Sequence, residues 1–279
     1  MFLAVAGWAF PGAFVRWMPH FGVGALVGLR LSVAFCALAP LAFASRYRQA
    51  TFQALRSPTC WLLSTFMLLY YAAATPAFYY APIGEVALVI ASAPLFAVFI
   101  RAIVHEPVTR NELLGAVMAV AGVAVMAYPS IVQAKIGGRL WIGIGLAIAA
   151  AIGAAFYAIG SRRLHLSGSS PGVVPQVLLS FLLGLAFLPF LALEPPEKLH
   201  SWTLAWLVPL GTFSTVMPTL AVAAAARRIS VVIATLVNPI CAVAANVVGA
   251  LTLHEIPTTW TAFGGVLVIG AIYVAVVGR

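Results

Sequence analysis

The chain has 279 residues, of which 63% are hydrophobic and 8% charged, with a mean hydropathy of +1.08. A soluble domain carries roughly 25% charged residues, so this composition excludes a water-soluble fold and points to one polytopic unit in a lipid bilayer. The net charge of +9 would suggest nucleic acid in a soluble protein. Here the basic residues lie mostly between apolar stretches, so they read as orientation signals and imply no nucleic-acid partner.

A span needs about 20 mostly apolar residues. Ten are read in chain order, at 2–18, 22–44, 59–80, 84–104, 111–129, 140–161, 173–193, 201–226, 230–252 and 257–277. The first has no basic region before it and no cleavage site after it, so it reads as a span and not a signal peptide. Ala81-Pro82-Ile83 and Arg227-Arg228-Ile229 are links short enough to force antiparallel hairpins. Ser45–Pro58, Ser130–Arg139 and Leu164–Gly172 read as the longer connections. Cys36, Cys60 and Cys241 lie in or beside apolar segments without metal spacing, and are expected to be buried, inert thiols.

Orientation follows from charge. With the N-terminus inside, Arg46, Arg48, Arg56, Arg101, Arg110, Arg162, Arg163, Arg227, Arg228 and Arg279 are cytoplasmic, against Arg16, Lys135, Arg139 and Lys198 on the other side. Both termini are then cytoplasmic.

The sequence repeats. His105-Glu106 and His254-Glu255 are 149 residues apart, as are Gly115 and Gly264, while Pro94 and Pro239 are 145 apart. The chain therefore divides into halves at 1–130 and 131–279. Five spans per half is an odd number, so the halves insert in opposite senses. Such inverted repeats recur in secondary transporters, whose substrate sites lie near the midplane between the repeats.

A proline-containing fourth helix, a His-Glu turn and a glycine-spaced fifth helix, present in both halves, resemble the EamA type of the drug/metabolite transporter superfamily. Trp8-Ala9, Arg30, and Tyr157-Ala158 at the Trp8 position of the second half add to the resemblance. Aromatic content and length are most similar to the YddG-type amino-acid exporters of bacterial inner membranes, which implies that localisation. The resemblance implies an all-α membrane protein of ten transmembrane helices in two inverted five-helix repeats, with helices one to four and six to nine around a central cavity. It also implies export of amino acids or related metabolites. Basic residues cluster at loops here, which argues against phosphorylated substrates.

Intramembrane polar groups are costly and so mark candidate sites. Arg30 lies about 12 Å into the second span at 1.5 Å per residue; it could meet a substrate carboxylate, form an ion pair with Glu85, or snorkel to the interface. Glu85 opens the fourth helix, where the helix dipole favours an acid; the alternatives are a proton-coupling group or a contact for a substrate amine. Pro94 and Pro239 should free carbonyls near Ile90–Ala91 and Thr235–Leu236 and act as hinges, with Ser92 and Asn238 beside the breaks. Asn246 reads as helix glue or cavity lining. Trp61, Trp141, Trp202 and Trp260 start spans and read as interfacial anchors. Trp8, Tyr70, Tyr71 and Tyr157 lie deeper, and Tyr71, Thr75 and Tyr79 share one helix face. An aromatic cavity would suit an apolar side chain and an amino group.

No nucleophile–base pair, metal cluster, cofactor site or P-loop is present in the sequence. The reading is a secondary carrier of a small-molecule substrate, embedded in lipid, compatible with a monomer, working by alternating access. The competing readings are a multidrug or organic-cation exporter, which makes Glu85 essential; an intramembrane enzyme, which needs a catalytic pair; and a structural protein, which binds no ligand.

Overall fold

The computed structural model describes residues 2–18, 20–103, 105, 108–132, 139–225, 237–255 and 257–277. Glu106, Lys135, the Arg227-Arg228-Ile229 link, the start of the ninth span (with Thr235–Leu236) and Arg279 lie outside them. Apolar helices satisfy their own backbone groups, which a bilayer requires. Helices make up the described structure, and no strand occurs among the described residues. Among the described residues, five helical stretches (Val23–Phe43, Pro58–Tyr80, Ile83–Ile103, Arg139–Leu166 and Val173–Leu193) are long and apolar enough to cross a membrane.

The first span is broken into α1 (Phe2–Ala9) and α2 (Pro11–Trp17), with Pro11 starting the second piece. It is followed by α3 (Val23–Phe43), α4 (Ser45–Arg56) and α5 (Pro58–Tyr80). The expected connection at Ser45–Pro58 is thus a helix. Thr51 and Ala54 are buried on one side of α4 while Arg46, Arg48 and Phe52 are exposed, the form of an interfacial amphipathic helix. The fourth span is α6 (Ile83–Ala91) and α7 (Ala93–Ile103), interrupted at Ser92. That is where Pro94 forbids a continuous ladder.

The fifth and sixth spans are α8 (Arg110–Val132) and α9 (Arg139–Leu166). The seventh begins as α10 (Val173–Gly184) and tightens into a 3-10 helix, Leu185–Leu193, around Pro189. The eighth is α11 (Ser201–Gly211), a π-helical turn at Thr212–Val216, and α12 (Met217–Ala225). The last two elements are α13 (Val237–Leu253) and α14 (Thr259–Val277).

The packing shows the inversion. A Cβ at Gly115 would lie 2.5 Å from the Ala271 carbonyl oxygen, and one at Gly122 would lie 2.8 Å from that of Gly264. Positions rise along α8 as they fall along α14, so these corresponding helices are antiparallel. The 149-residue offset maps Gly115 to Gly264 and Gly122 to Ala271, so the seam matches itself about a pseudo-two-fold axis. Small residues permit this backbone approach. The seam of α3 with α10 and its 3-10 continuation also uses small residues, with Gly184 against Leu31 and Gly28 against Phe187–Leu188.

The turns repeat as well. His105 and His254 both adopt left-handed backbone, at φ 57° and 55°. Thr109 and Glu112 form a reciprocal capping box at the start of α8 (Thr109 N–H to Glu112, 2.9 Å; Glu112 N–H to Thr109 Oγ1, 3.2 Å). Their counterparts 149 residues on, Thr258 and Thr261, cap α14. Cys60 and Cys241 are buried as expected, but Cys36 is exposed; its stretch of α3 turns one face away from the bundle.

Candidate functional site

Arg30 stands about a third of the way along α3, only 3% exposed. Its Nε donates to Thr215 Oγ1 (2.9 Å), and its Nη1 to Thr75 Oγ1 (3.0 Å). The guanidinium carbon lies 5.0 Å from the centroid of the Tyr71 ring, a cation–π arrangement. The guanidinium thereby bridges α3, α5 of its own half, and the π-helical turn of the other.

Proton placement in this network is fixed by counting. Thr215 gives its single hydroxyl proton to the Leu210 carbonyl five residues earlier (2.7 Å), so toward Arg30 it only accepts. Thr219 gives its proton to the Thr215 carbonyl (2.6 Å), so the Tyr71 hydroxyl donates to Thr219 across 3.0 Å. The wider turn follows from a hydroxyl-rich run placed between Pro209 and Pro218, and π turns frequently occur at functional sites. It aims Thr215 and Thr219 at the first half.

Arg30 has no carboxylate partner among the described residues, which corrects the expected pairing with Glu85. Glu85 instead accepts from Thr261 Oγ1 of α14 (2.9 Å), and its Oε2 is buried without a hydrogen bond to a described residue. The first turn of α6 faces α13 and α14 and not α3. That leaves a buried cation held by two neutral hydroxyls and an aromatic face, with neither N–H of Nη2 bonded to a described residue. Of the five guanidinium donors in their fixed fork, three have no partner among the described residues, one on Nη1 and two on Nη2, and they form a receptor for a planar anion.

The other candidates divide by place. Tyr70 packs edge-on against Tyr71 (4.9 Å between centroids), and Phe181 of α10 lies 6.0 Å from Tyr71. Tyr70, Tyr71, Tyr157 and Phe181 belong to one apolar cluster. Tyr79 continues the Tyr71–Thr75 face but lies beyond the site, its ring 4.3 Å from that of His20. Trp8 packs with Val5, Ala221 and Cys241. Ser92 bonds the Val89 carbonyl (2.6 Å) and lines an apolar groove with Leu95, Phe99 and Ile144. Asn246 donates to the Ala242 carbonyl (3.0 Å) and sits directly on Gly84, as interhelical packing. Asn238 and Pro239 begin α13 and Pro94 is the second residue of α7; their side chains lie outside the described ones.

Sequence reasoning missed Thr215, Thr219 and Phe181. A signal for the threonines exists: Thr215 and Thr219 have the i, i+4 spacing of Tyr71 and Thr75, and Pro218 stands beside Thr219 as Pro76 stands beside Thr75.

The EamA-like transporter family matches residues 1–128 and again 141–277. The chain belongs to this family. It is therefore a multi-pass membrane transporter of small molecules in the drug/metabolite transporter superfamily, whose EamA members are carriers and not enzymes. A protein solved by crystallography shares 21% of its residues with this chain at a TM-score of 0.67, covering 99% of this chain and 94% of that one. That likeness is one of fold. None of the curated proteins matches.

Proposed function

We propose that this transporter exports amino acids with apolar or aromatic side chains across a bacterial inner membrane, by alternating access between its inverted halves. This is the activity of the YddG-type members it resembles. The observation that carries the reading is Arg30: buried, without a carboxylate partner among the described residues, and with one N–H of Nη1 and those of Nη2 left to take a substrate carboxylate in two parallel hydrogen bonds, one from each nitrogen. Tyr70 and Tyr157, the half-buried members of the cluster built around the buried Tyr71 and Phe181, receive the side chain and lend ring faces to the amino group. A buried positive charge repels lipophilic cations, which disfavours an organic-cation exporter.

Pro94 and Pro239 serve as hinges in the repeated helices, and Glu85 is the carboxylate for proton coupling. Binding is tested by thermal stability of the purified protein with a panel of ligands. Phenylalanine or leucine should raise Tm, and the amines lacking only their carboxylate should not. Equal stabilisation by acid and amine would refute the role of Arg30.

A further inference from the structure

At the end of the bundle where α2 and α5 finish, a second cluster joins the halves. Arg16 on α2 donates from Nε to the Phe78 carbonyl and from Nη2 to the Ala81 carbonyl, each at 2.7 Å. Both carbonyls belong to the last, uncapped turn of α5 and its exit, so the first half alone fixes the guanidinium in place. Glu255, between α13 and α14 of the second half, reaches across to it. Its Oε1 lies 2.6 Å from Arg16 Nη1, and its Oε2 accepts from the Ile83 N–H at the start of α6 (2.8 Å). The carboxylate is presented by the left-handed residue His254 and by a Glu255 N–H bond to the Gly249 carbonyl (3.2 Å).

We infer that Glu255 is a detachable latch: it docks into a receptor prebuilt on the first half, and this face of the transporter opens only when it lets go. The division of bonds supports this assignment. The Phe78 and Ala81 carbonyls hold Arg16 within its own half, whereas both Glu255 contacts cross between halves. The pair is partly exposed, 29% and 18% for the two side chains, so water can replace each partner on release.

The latch is also coupled to the binding site. Phe78 lies three residues after Thr75 on α5, about 4.5 Å along the axis, with Pro76 between them. A proline inside a helix leaves one backbone bond unmade, so the segment after Pro76 can bend when Glu255 leaves, without moving Tyr71. The inference rests on the alternating-access reading above. The positionally equivalent acid of the first half is Glu106, outside the described residues.

The test uses the full-length protein in membrane vesicles of both orientations, with Cys36, Cys60 and Cys241 replaced by alanine and Thr75→Cys as reporter. Glu255→Gln should raise labelling by a membrane-impermeant thiol reagent from the Arg16 face about fivefold, as a shift in a two-state population. Adding Arg16→Gln should raise it no further, because both act on one contact. In the Arg16→Cys/Glu255→Cys protein, now with Thr75 retained, a short reducible cross-linker should stop substrate flux and reduction should restore it. Unchanged labelling in Glu255→Gln, or full flux through the cross-linked protein, would overturn the latch. Labelling needs no substrate, so that result stands apart from the flux measurements that test the transport reading.

Discussion

Replacing Arg30 with glutamine keeps much of the side chain's length and leaves an amide N–H for one of its two threonine partners. It removes the charge and the free pair of N–H groups, one on Nη1 and one on Nη2. A hydrogen bond to a charged group is worth about 1.5–3 kcal/mol. Because water competes for the carboxylate, the pair together should contribute about 2–3 kcal/mol of substrate affinity, or roughly 30- to 150-fold. The assay is half-saturation of uptake into proteoliposomes, for an apolar amino acid and for the amine that lacks only its carboxylate, in parent and Arg30→Gln. The parent should favour the acid and the variant should lose that preference, so that the interaction term of the four measurements carries the whole factor. Arg30→Lys keeps the charge without the planar fork and should fall between them. A loss of equal size for acid and amine would refute the carboxylate contact and reduce Arg30 to a packing residue.

The same residue should lower stability. Arg30→Met removes a buried cation that no carboxylate among the described residues balances, while Thr215 keeps its own donation to Leu210. Its Tm in detergent should equal or exceed that of the parent while amino-acid flux is lost, and a marked fall in Tm would contradict this. Gly122→Ala puts a methyl 2.8 Å from the Gly264 carbonyl and should cost about 1–3 kcal/mol in thermal unfolding, whereas Gly145→Ala, which meets nothing within 4 Å, should be neutral or slightly stabilising. Glu85→Gln should abolish the pH dependence of flux, and a variant that keeps the parent's dependence would remove Glu85 from coupling. Bonds from Lys198 and the Gly22 N–H hold the Glu194 carboxyl below the usual carboxylate range. Its stabilisation is therefore complete above about pH 5 and lost as pH falls below about 4; the parent's Tm should fall more steeply than that of Glu194→Gln across this window.

Much of the fold is legible because the bilayer makes apolar length informative and the repeat makes its parts check one another. Gly115 and Gly264, or His105 and His254, are weak signals singly; 149 residues apart, they report the same turn and the same seam in both halves. Breaks inside spans are harder to read. The π turn at Thr212–Val216 and the tightening at Leu185 lie within apolar runs that also suit a straight helix, and hydropathy has no term for the hydrogen-bond register. The amphipathic α4 looks like a loop because its burial depends on neighbours, with Thr51 bonding the Ala42 carbonyl (2.8 Å). For the site, Arg30, Tyr71 and Thr75 are legible as polar groups at one depth. The Arg30–Glu85 expectation fails because shared depth does not imply a shared side of the bundle, and Thr261, the true partner of Glu85, is distant in sequence.

The central claim is that this is an amino-acid carrier, and its most direct test is flux in proteoliposomes. The purified protein is compared with protein-free vesicles for a panel of radiolabelled amino acids, with and without a pH gradient. Saturable flux of apolar and aromatic amino acids that requires the protein is the expected result. No flux of any amino acid, together with movement of lipophilic cations, would contradict the account and make the buried charge of Arg30 a structural feature.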